Sequence, residues 1–325
     1  MEKCSIIIAA YNEADNLKKC LFSLRDVDYS QDLTEIIVVD NDSTDNTASM
    51  VKEFPEVLYL KEEKRGASQA RNTGIHNSTG DILIFIDTDT TVTQGWLAKV
   101  TEPFSDKTVG AVGGAIYPVN SNNIFSKYMG VSLFLRYPRY GKKIRIKGFP
   151  SCNLAVRKIL AENGFDTQVF STYGEDKDLC YRIIANGYTV LFSPEAVIYH
   201  HHPESFGDLL DLLIKSSAGR AAFAKKYPSA PDIIFLNCHI PFLYSAAVIL
   251  SLLLGGPTAF MFALVPALIY FAYSSIISLS HTGDVFLSLI VKPFLDIVSI
   301  YVIYFSFHYK KLRAVITPKT ILKRS

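Results

Sequence analysis

The sequence predicts an α/β domain, a mixed, mostly parallel sheet flanked by helices in the Rossmann-like manner, followed by C-terminal transmembrane helices. Three observations carry that expectation. Up to Asp89, apolar runs of strand length alternate with helical patterns, the order expected of parallel strands joined by crossover helices. Polar clusters follow three of those runs, at Tyr11, Asp40 and Asp87. The stretch from about 233 to 307 is almost uncharged.

The elements follow in order. Ser5 to Ala10 reads as a buried strand, and Tyr11-Asn12-Glu13-Ala14-Asp15 turns into a helix with Leu17, Cys20, Leu21 and Leu24 at helical spacing. Glu35 to Val39 is a second strand, and the polar cluster Asp40 to Thr47 starts a helix through Met50 and Val51. Val57 to Leu60 is a short third strand, Gly66 to Gly74 opens a helix, and Ile82 to Ile86 is the next strand. Trp96-Leu97 begins a helix, Val109 to Tyr117 reads as a strand, and Pro150 to Arg157 is strand-like. Gly174 to Leu179 caps a helix from Leu179 to Ala185, and Thr189 to Phe192 and Ala196 to Tyr199 are two closing strands. A basic-aromatic section from Arg136 to Lys143 reads as a solvated loop, with a lid or membrane-facing surface as the competing reading.

In a parallel sheet the carboxyl ends of the strands share one edge, so the clusters at Tyr11, Asp40 and Asp87 can form one pocket. Asp87 and Asp89 end an apolar strand at i, i+2. At period two they face the same way, which suits one hard divalent cation carrying a substrate phosphate. The competing reading is a solvated strand-to-loop turn.

Composition excludes several classes. The 325 residues carry a formal net charge of +2, so no nucleic-acid footprint is expected. Five scattered cysteines form no CxxC pair, which argues against a zinc site or disulfide framework and for reduced cytosolic thiols. The apolar run Ile6 to Ala10 is too short for a signal peptide. No Gly-x-Gly-x-x-Gly or Walker sequence follows the first strand.

The expected organisation is a catalytic domain over 1–204, an amphipathic juxtamembrane helix over 205–230 and a membrane domain over 231–325. Runs at about 233–254 and 258–279 are long enough to span. The run 285–307 contains Lys292, Pro293 and Asp296 and is expected to be interfacial, re-entrant or spanning, with Lys292 and Asp296 neutralising each other at i, i+4. Basic residues flank the run at both ends, from Lys215 to Lys226 and from Lys310 to Arg324. The positive-inside rule then places the protein integrally in the cytoplasmic membrane with the catalytic domain facing the cytosol.

The segments Ser5 to Glu13, Val38 to Asp45, Ala70 to Ile75, Asp87-Thr88-Asp89 and Gly174-Glu175-Asp176, taken in this order and spacing, resemble the family 2 glycosyltransferases, whose fold is GT-A. The resemblance covers roughly residues 4 to 230 and implies inverting transfer of a sugar from a UDP- or GDP-sugar, with Mg²⁺ or Mn²⁺ as cofactor. It assigns the donor nucleotide to Ala10, Tyr11, Glu13, Asp40, Asn41, Asp42, Arg71, Asp87 and Thr88. The family often has two adjacent aspartates where this chain has Asp40-Asn41-Asp42, which leaves uracil or guanine open. For Arg71 the alternative is a surface helix arginine. The metal falls to Asp87, Asp89 and one histidine of 200 to 202, here His200, with Asp89 favoured for direct contact. The general base falls to Asp176 beside Glu175, with a helix N-cap as the alternative for Asp176 and Asp178 as the next candidate. The loop Ser151 to Asn153 would border the donor sugar or acceptor. The Gln-x-x-Arg-Trp sequence of processive synthases is absent, which favours transfer of one sugar. The acceptor expected is a hydroxyl of a lipid-linked glycan at the membrane. The alternatives are transfer to a polyprenyl phosphate and a non-catalytic, membrane-anchored sugar-nucleotide-binding protein.

Overall fold

The structure is a computed structural model that describes residues 2–132, 143–170, 173–230, 240–282 and 284–316. Arg136 to Lys142, Asn237, Cys238, His239, Lys319, Lys323 and Arg324 lie outside the described residues. The chain divides into two compact units, one of residues 1–122 and 135–202, the other of residues 123–134 and 203–325. A single cut near 204 therefore does not describe the division, because residues 123–134 go with the second unit.

In the first unit, β1 (Cys4–Ala10), β2 (Thr34–Asp40), β3 (Val57–Lys61) and β4 (Ile82–Asp87) run parallel. Ile6, Ile7, Ile8, Val38, Val39 and every residue from Ile82 to Ile86 are fully buried. Strands covered on both faces lose the apolar–polar alternation and read as continuous runs. The crossovers are α1 (Ala14–Arg25), α2 (Thr47–Val51) and α3 (Ala67–Asn77), and α1 buries Leu17, Cys20, Leu21 and Leu24 as its spacing predicts.

Past β4 come β5 (Thr90–Val92), α4 (Trp96–Thr101), β6 (Val109–Pro118) and, in the second unit, α5 (Ile124–Met129). The chain returns through β7 (Ile144–Arg145), β8 (Asn153–Arg157), α6 (Lys158–Ala161), α7 (Glu175–Ala185) and β9 (Thr189–His200). The sheet order is β3-β2-β1-β4-β8-β6-β9-β5, with β7 also on β9. β8 is antiparallel to β4 and β6, so the sheet is mixed.

Three local expectations are corrected. The two closing strands are one, β9, which runs through Ser193-Pro194-Glu195 beside β6 with irregular register. The helix expected from Leu179 starts at Glu175, because Gly174 takes φ +96° at its N-cap, a left-handed conformation that glycine adopts without a Cβ clash. Asp176 is therefore inside the first turn, not the cap. Asp89 lies in a two-residue turn between β4 and β5, so strand alternation does not set its direction.

A buried asparagine ties the far strands together. Asn153 Nδ2 donates to the carbonyls of Ala115 and Ala196 at 3.1 and 3.0 Å, and its Oδ1 accepts from Trp96 Nε1 at 2.9 Å. Gly114 leaves room for this network: a Cβ there would lie 2.2 Å from the Ala196 carbonyl oxygen and 2.4 Å from Asn153 Nδ2. Gly114→Ala is expected to destabilise the first unit by about 1–3 kcal/mol, the usual cost of overpacking, read as a lower thermal unfolding midpoint.

In the second unit, α8 (Phe206–Lys226) is capped by Ser205, whose Oγ accepts from the Asp208 N–H at 3.1 Å. Its buried face holds Leu209, Leu213, Ser217, Phe223 and Ala224. Next come α9 (Ile240–Leu254), α10 (Gly256–Thr282) and, after a π-helical turn at Leu287–Val291, α11 (Lys292–Ile316). The expected first span, 233–254, begins outside the described residues. Among the described residues two segments, Pro257–Ile276 and Leu287–Tyr309, are long and apolar enough to cross a membrane, so the third run is one continuous helical stretch of spanning length. Lys292 and Asp296 do pair, and both are buried. Asp296 also accepts from Ser274 Oγ at 2.8 Å and from Tyr128 OH at 3.2 Å. Tyr128 shares a 2.9 Å hydrogen bond with Ser299, and Lys127 pairs with Asp284 at 2.9 Å, so α5 is fastened by polar contacts at two points.

Candidate active site

The parallel strands bring the expected clusters to one edge. Ala10 pairs in register with Asp40, and Ala9 with Asp87. At the β1 and β2 ends, Tyr11 is exposed and the Arg65 guanidinium lies 4.0 Å from its ring centroid, a cation–π contact. Arg65 also pairs with Asp42 at 3.1 Å. Asp42 and Asn12 both take positive φ, 63° and 53°, and Asn12 Oδ1 accepts from the Thr44 N–H at 2.7 Å to hold the two turns together. Glu13 is exposed and accepts from Asn16 Nδ2 at 2.6 Å.

Asp40 and Asn41 are buried and tied into the loops. Asp40 accepts from Tyr59 OH at 2.6 Å and the Ser43 N–H at 2.9 Å. Asn41 Nδ2 donates to the carbonyls of Glu62 and Lys64 at 3.0 and 2.9 Å, and its Oδ1 accepts from the Gly66 N–H at 2.7 Å. Asn41 thus organises the turn into α3 and presents Arg65. Nothing in local periodicity marks Arg65; only its stacking on Tyr11 identifies it.

Arg71 is not a surface residue. It is 6% exposed, and it joins Asp87 Oδ1 at 2.9 Å to Glu175 Oε1 at 3.2 Å. Its charge is kept despite burial by those two carboxylates. Ala10 and Thr88 are buried at the ends of β1 and β4.

β5 explains the histidine. It pairs antiparallel with β9, setting Thr90 opposite His200. His200 Nε2 then lies 3.2 Å from Asp89 Oδ1 and 3.7 Å from Asp87 Oδ2. Among the neighbours, His201 is exposed and His202 is buried. Burial alone would lower the His200 pKa; the neighbouring Asp87 and Asp89 carboxylates raise it instead. Burial would likewise raise Asp87, but His200 and Arg71 hold it well below the ordinary carboxylate range. Asp89 is raised by burial and by the Asp87 charge.

Asp176 is half-buried and accepts the Lys177 N–H at 2.6 Å. Burial raises both Glu175 and Asp176, and each lies near other carboxylates. Asp178 is fully buried and pairs with Arg182 at 2.9 Å, so it is not placed to accept a substrate proton.

Four carboxylates thus converge with one guanidinium and one imidazole, and three of the four are pushed toward their neutral forms. Oxygen donors under mutual repulsion, with an imidazole nitrogen between two of them, fit a divalent cation.

The glycosyl transferase family 2 model matches residues 5–164. The chain is 31% identical over 226 residues to glycosyltransferase AglE of Haloferax volcanii, over 66% of this chain and 72% of that protein. It is 28% identical over 222 residues to the probable glycosyltransferase YdaM of Bacillus subtilis, over 63% of this chain and 52% of that protein, so it spans about half the length of the latter. Among solved structures it is similar to the mannosyltransferase PcManGT from Pyrobaculum calidifontis in complex with GDP-Man and Mn²⁺, with a TM-score of 0.61 and 24% identity over 96% of this chain and 87% of that one.

Proposed function

Because this chain belongs to the family 2 glycosyltransferases, we propose that it transfers one sugar from a nucleotide diphosphate sugar to a hydroxyl of a lipid-linked glycan, with inversion at the anomeric carbon. The observation that carries the reading is the buried bridge from Asp87 through Arg71 to Glu175, which sets the metal-binding carboxylates beside Asp176. The donor base would pack on Tyr11 between Arg65 and the backbone that Asn41 shapes. Asp89, His200 and Asp87 would hold Mg²⁺ or Mn²⁺, which when bound offsets charge on the departing diphosphate. Arg71 fixes the Asp87 carboxylate and adds positive charge behind it. Asp176, held by the Lys177 N–H, takes the acceptor proton as the hydroxyl oxygen attacks the sugar carbon opposite the diphosphate.

The acceptor and location rest on the second unit. Leu254, Phe262 and Ile276 are 81%, 73% and 68% exposed on apolar helices, a surface that lipid would cover. With the basic residues flanking the apolar run, this supports a membrane protein with its catalytic unit in the cytosol.

A panel of UDP- and GDP-sugars with Mn²⁺ tests the donor assignment. The matching donor should raise the unfolding midpoint, since a hundredfold excess over Kd stabilises the folded state by about 2.7 kcal/mol. Asp89→Ala should lower metal-dependent turnover by roughly 10²–10³-fold, the scale of losing one preorganised electrostatic group. Unchanged turnover in that variant overturns the metal assignment. Equal transfer to soluble acceptors without a lipid carrier overturns the acceptor assignment.

A further inference from the structure

One group beside the carboxylates and His200 has no part in the reaction proposed above: the thiol of Cys152. Its Sγ, one Asp87 oxygen and one His200 ring nitrogen lie within 4.8 Å of one another. Ligands on opposite sides of one ion, at bonds of roughly 2.0–2.4 Å, are themselves about 4–5 Å apart, so a single ion can touch all three. The thiol is 8% exposed and immediately precedes Asn153, whose three buried hydrogen bonds fix the backbone that carries it. His200 Nδ1 is buried with no hydrogen-bond partner, so no second contact fixes the ring's tautomer. Side-chain contacts to the ring come instead through Nε2, which faces Asp89 at 3.2 Å.

We propose that Cys152 is a direct donor to the divalent cation of this site, making an oxygen, nitrogen and sulfur set that selects Mn²⁺ and softer ions over Mg²⁺. The inference rests on the reading of Asp87, Asp89 and His200 as metal-binding. Thiolate is a soft ligand, and Mg²⁺ takes oxygen ligands and gives up water reluctantly. On binding, the thiol proton leaves to solvent as the sulfur–metal bond forms, and no electrons are transferred. Without an ion, burial and the charges of Asp87, Asp89 and Asp176 keep that proton in place. The same carboxylates create the negative potential that draws a cation in, and a coordinated thiol gives up its proton outright.

The test uses the full chain with Co²⁺ as a spectroscopic probe and Mn²⁺ and Mg²⁺ in competition. Wild type should show a thiolate-to-cobalt charge-transfer band. Cys152→Ser should still bind cobalt but lose the band, and its preference for Mn²⁺ over Mg²⁺ should fall by about tenfold or more with Mg²⁺ affinity unchanged. Cys20→Ser should keep the band, although the Cys20 thiol is 3.8 Å from the Asp87 carbonyl oxygen. Cobalt binding without the band in wild type, or an unchanged Mn²⁺ preference in Cys152→Ser, overturns the thiol assignment and leaves the carboxylate site standing. If wild type and Asp89→Ala bind all three ions equally poorly, the metal-site reading itself falls, and this inference with it.

Discussion

Asp176→Asn is expected to lower kcat for transfer to a hydroxyl acceptor by roughly 10²–10⁴-fold, the range for loss of a general base, with little change in the KM for the donor. The substitution is nearly isosteric. The amide oxygen can still accept the Lys177 N–H that Asp176 accepts at 2.6 Å, so the first turn of α7 keeps its shape. What is lost is the ability to take a proton. Burial raises the Asp176 pKa and the Asp87 charge adds to the rise. The ionised carboxylate is the working form. Wild-type kcat/KM should therefore be full at high pH and fall as pH drops through a midpoint above the ordinary carboxylate range. Asp176→Asn should lack that limb. Transfer rates across pH for both proteins check this. A variant that keeps most of its activity points instead to an acceptor that needs no deprotonation, a lipid phosphate.

Arg71→Met should cost about 3–5 kcal/mol of stability, the usual result of removing one partner from a buried ion pair. Its guanidinium is all but inaccessible, as is the Glu175 side chain, while Asp87 keeps 34% of its side-chain exposure. That partial access places the loss toward the lower end. The deficit should narrow as pH falls. The two stranded carboxyls would have raised pKa values in the folded variant, so protonation favours the folded state and the stability it brings is lost again as pH rises. Unfolding midpoints of wild type and variant over a pH series read this directly. Arg71→Lys should recover only part, because an ammonium cannot reach two carboxylates with a planar fork.

Much of the sheet was legible because it is buried on both faces. β1, β2 and β4 read as unbroken apolar runs, and their polar ends could be placed on one edge without knowing any contact. The shorter strands were not legible. β5 has three residues and β7 two; neither is long enough to show a period, and both exist only because β9 offers a partner. β9 read as two strands because Ser193-Pro194-Glu195 breaks the pattern locally, while β6 carries the pairing past it. The same distinction runs through the site. Asp87, Asp89 and Asp176 stand out in the sequence by type and spacing. Arg65 and the buried setting of Arg71 do not, since each acquires its contacts from residues distant in the chain. Asn41 shows the reverse case: it stands in a cluster expected to face the nucleotide, yet its amide is committed to three backbone groups.

The fastening of α5 bears on how such a protein can be divided or recombined. The gene encodes that helix between two strands of the sheet, but Tyr128 and Lys127 find their partners on residues 284 to 299. No single cut yields a sheet unit complete in sequence and satisfied in its contacts. A chain stopped after His202 would carry α5 with its buried tyrosine stripped of both polar partners and its apolar side chains bared to water, a recipe for poor solubility. Shuffling of the enzymatic half onto a different anchor would need two exchanges, the tail and the short excursion, which ties their inheritance together.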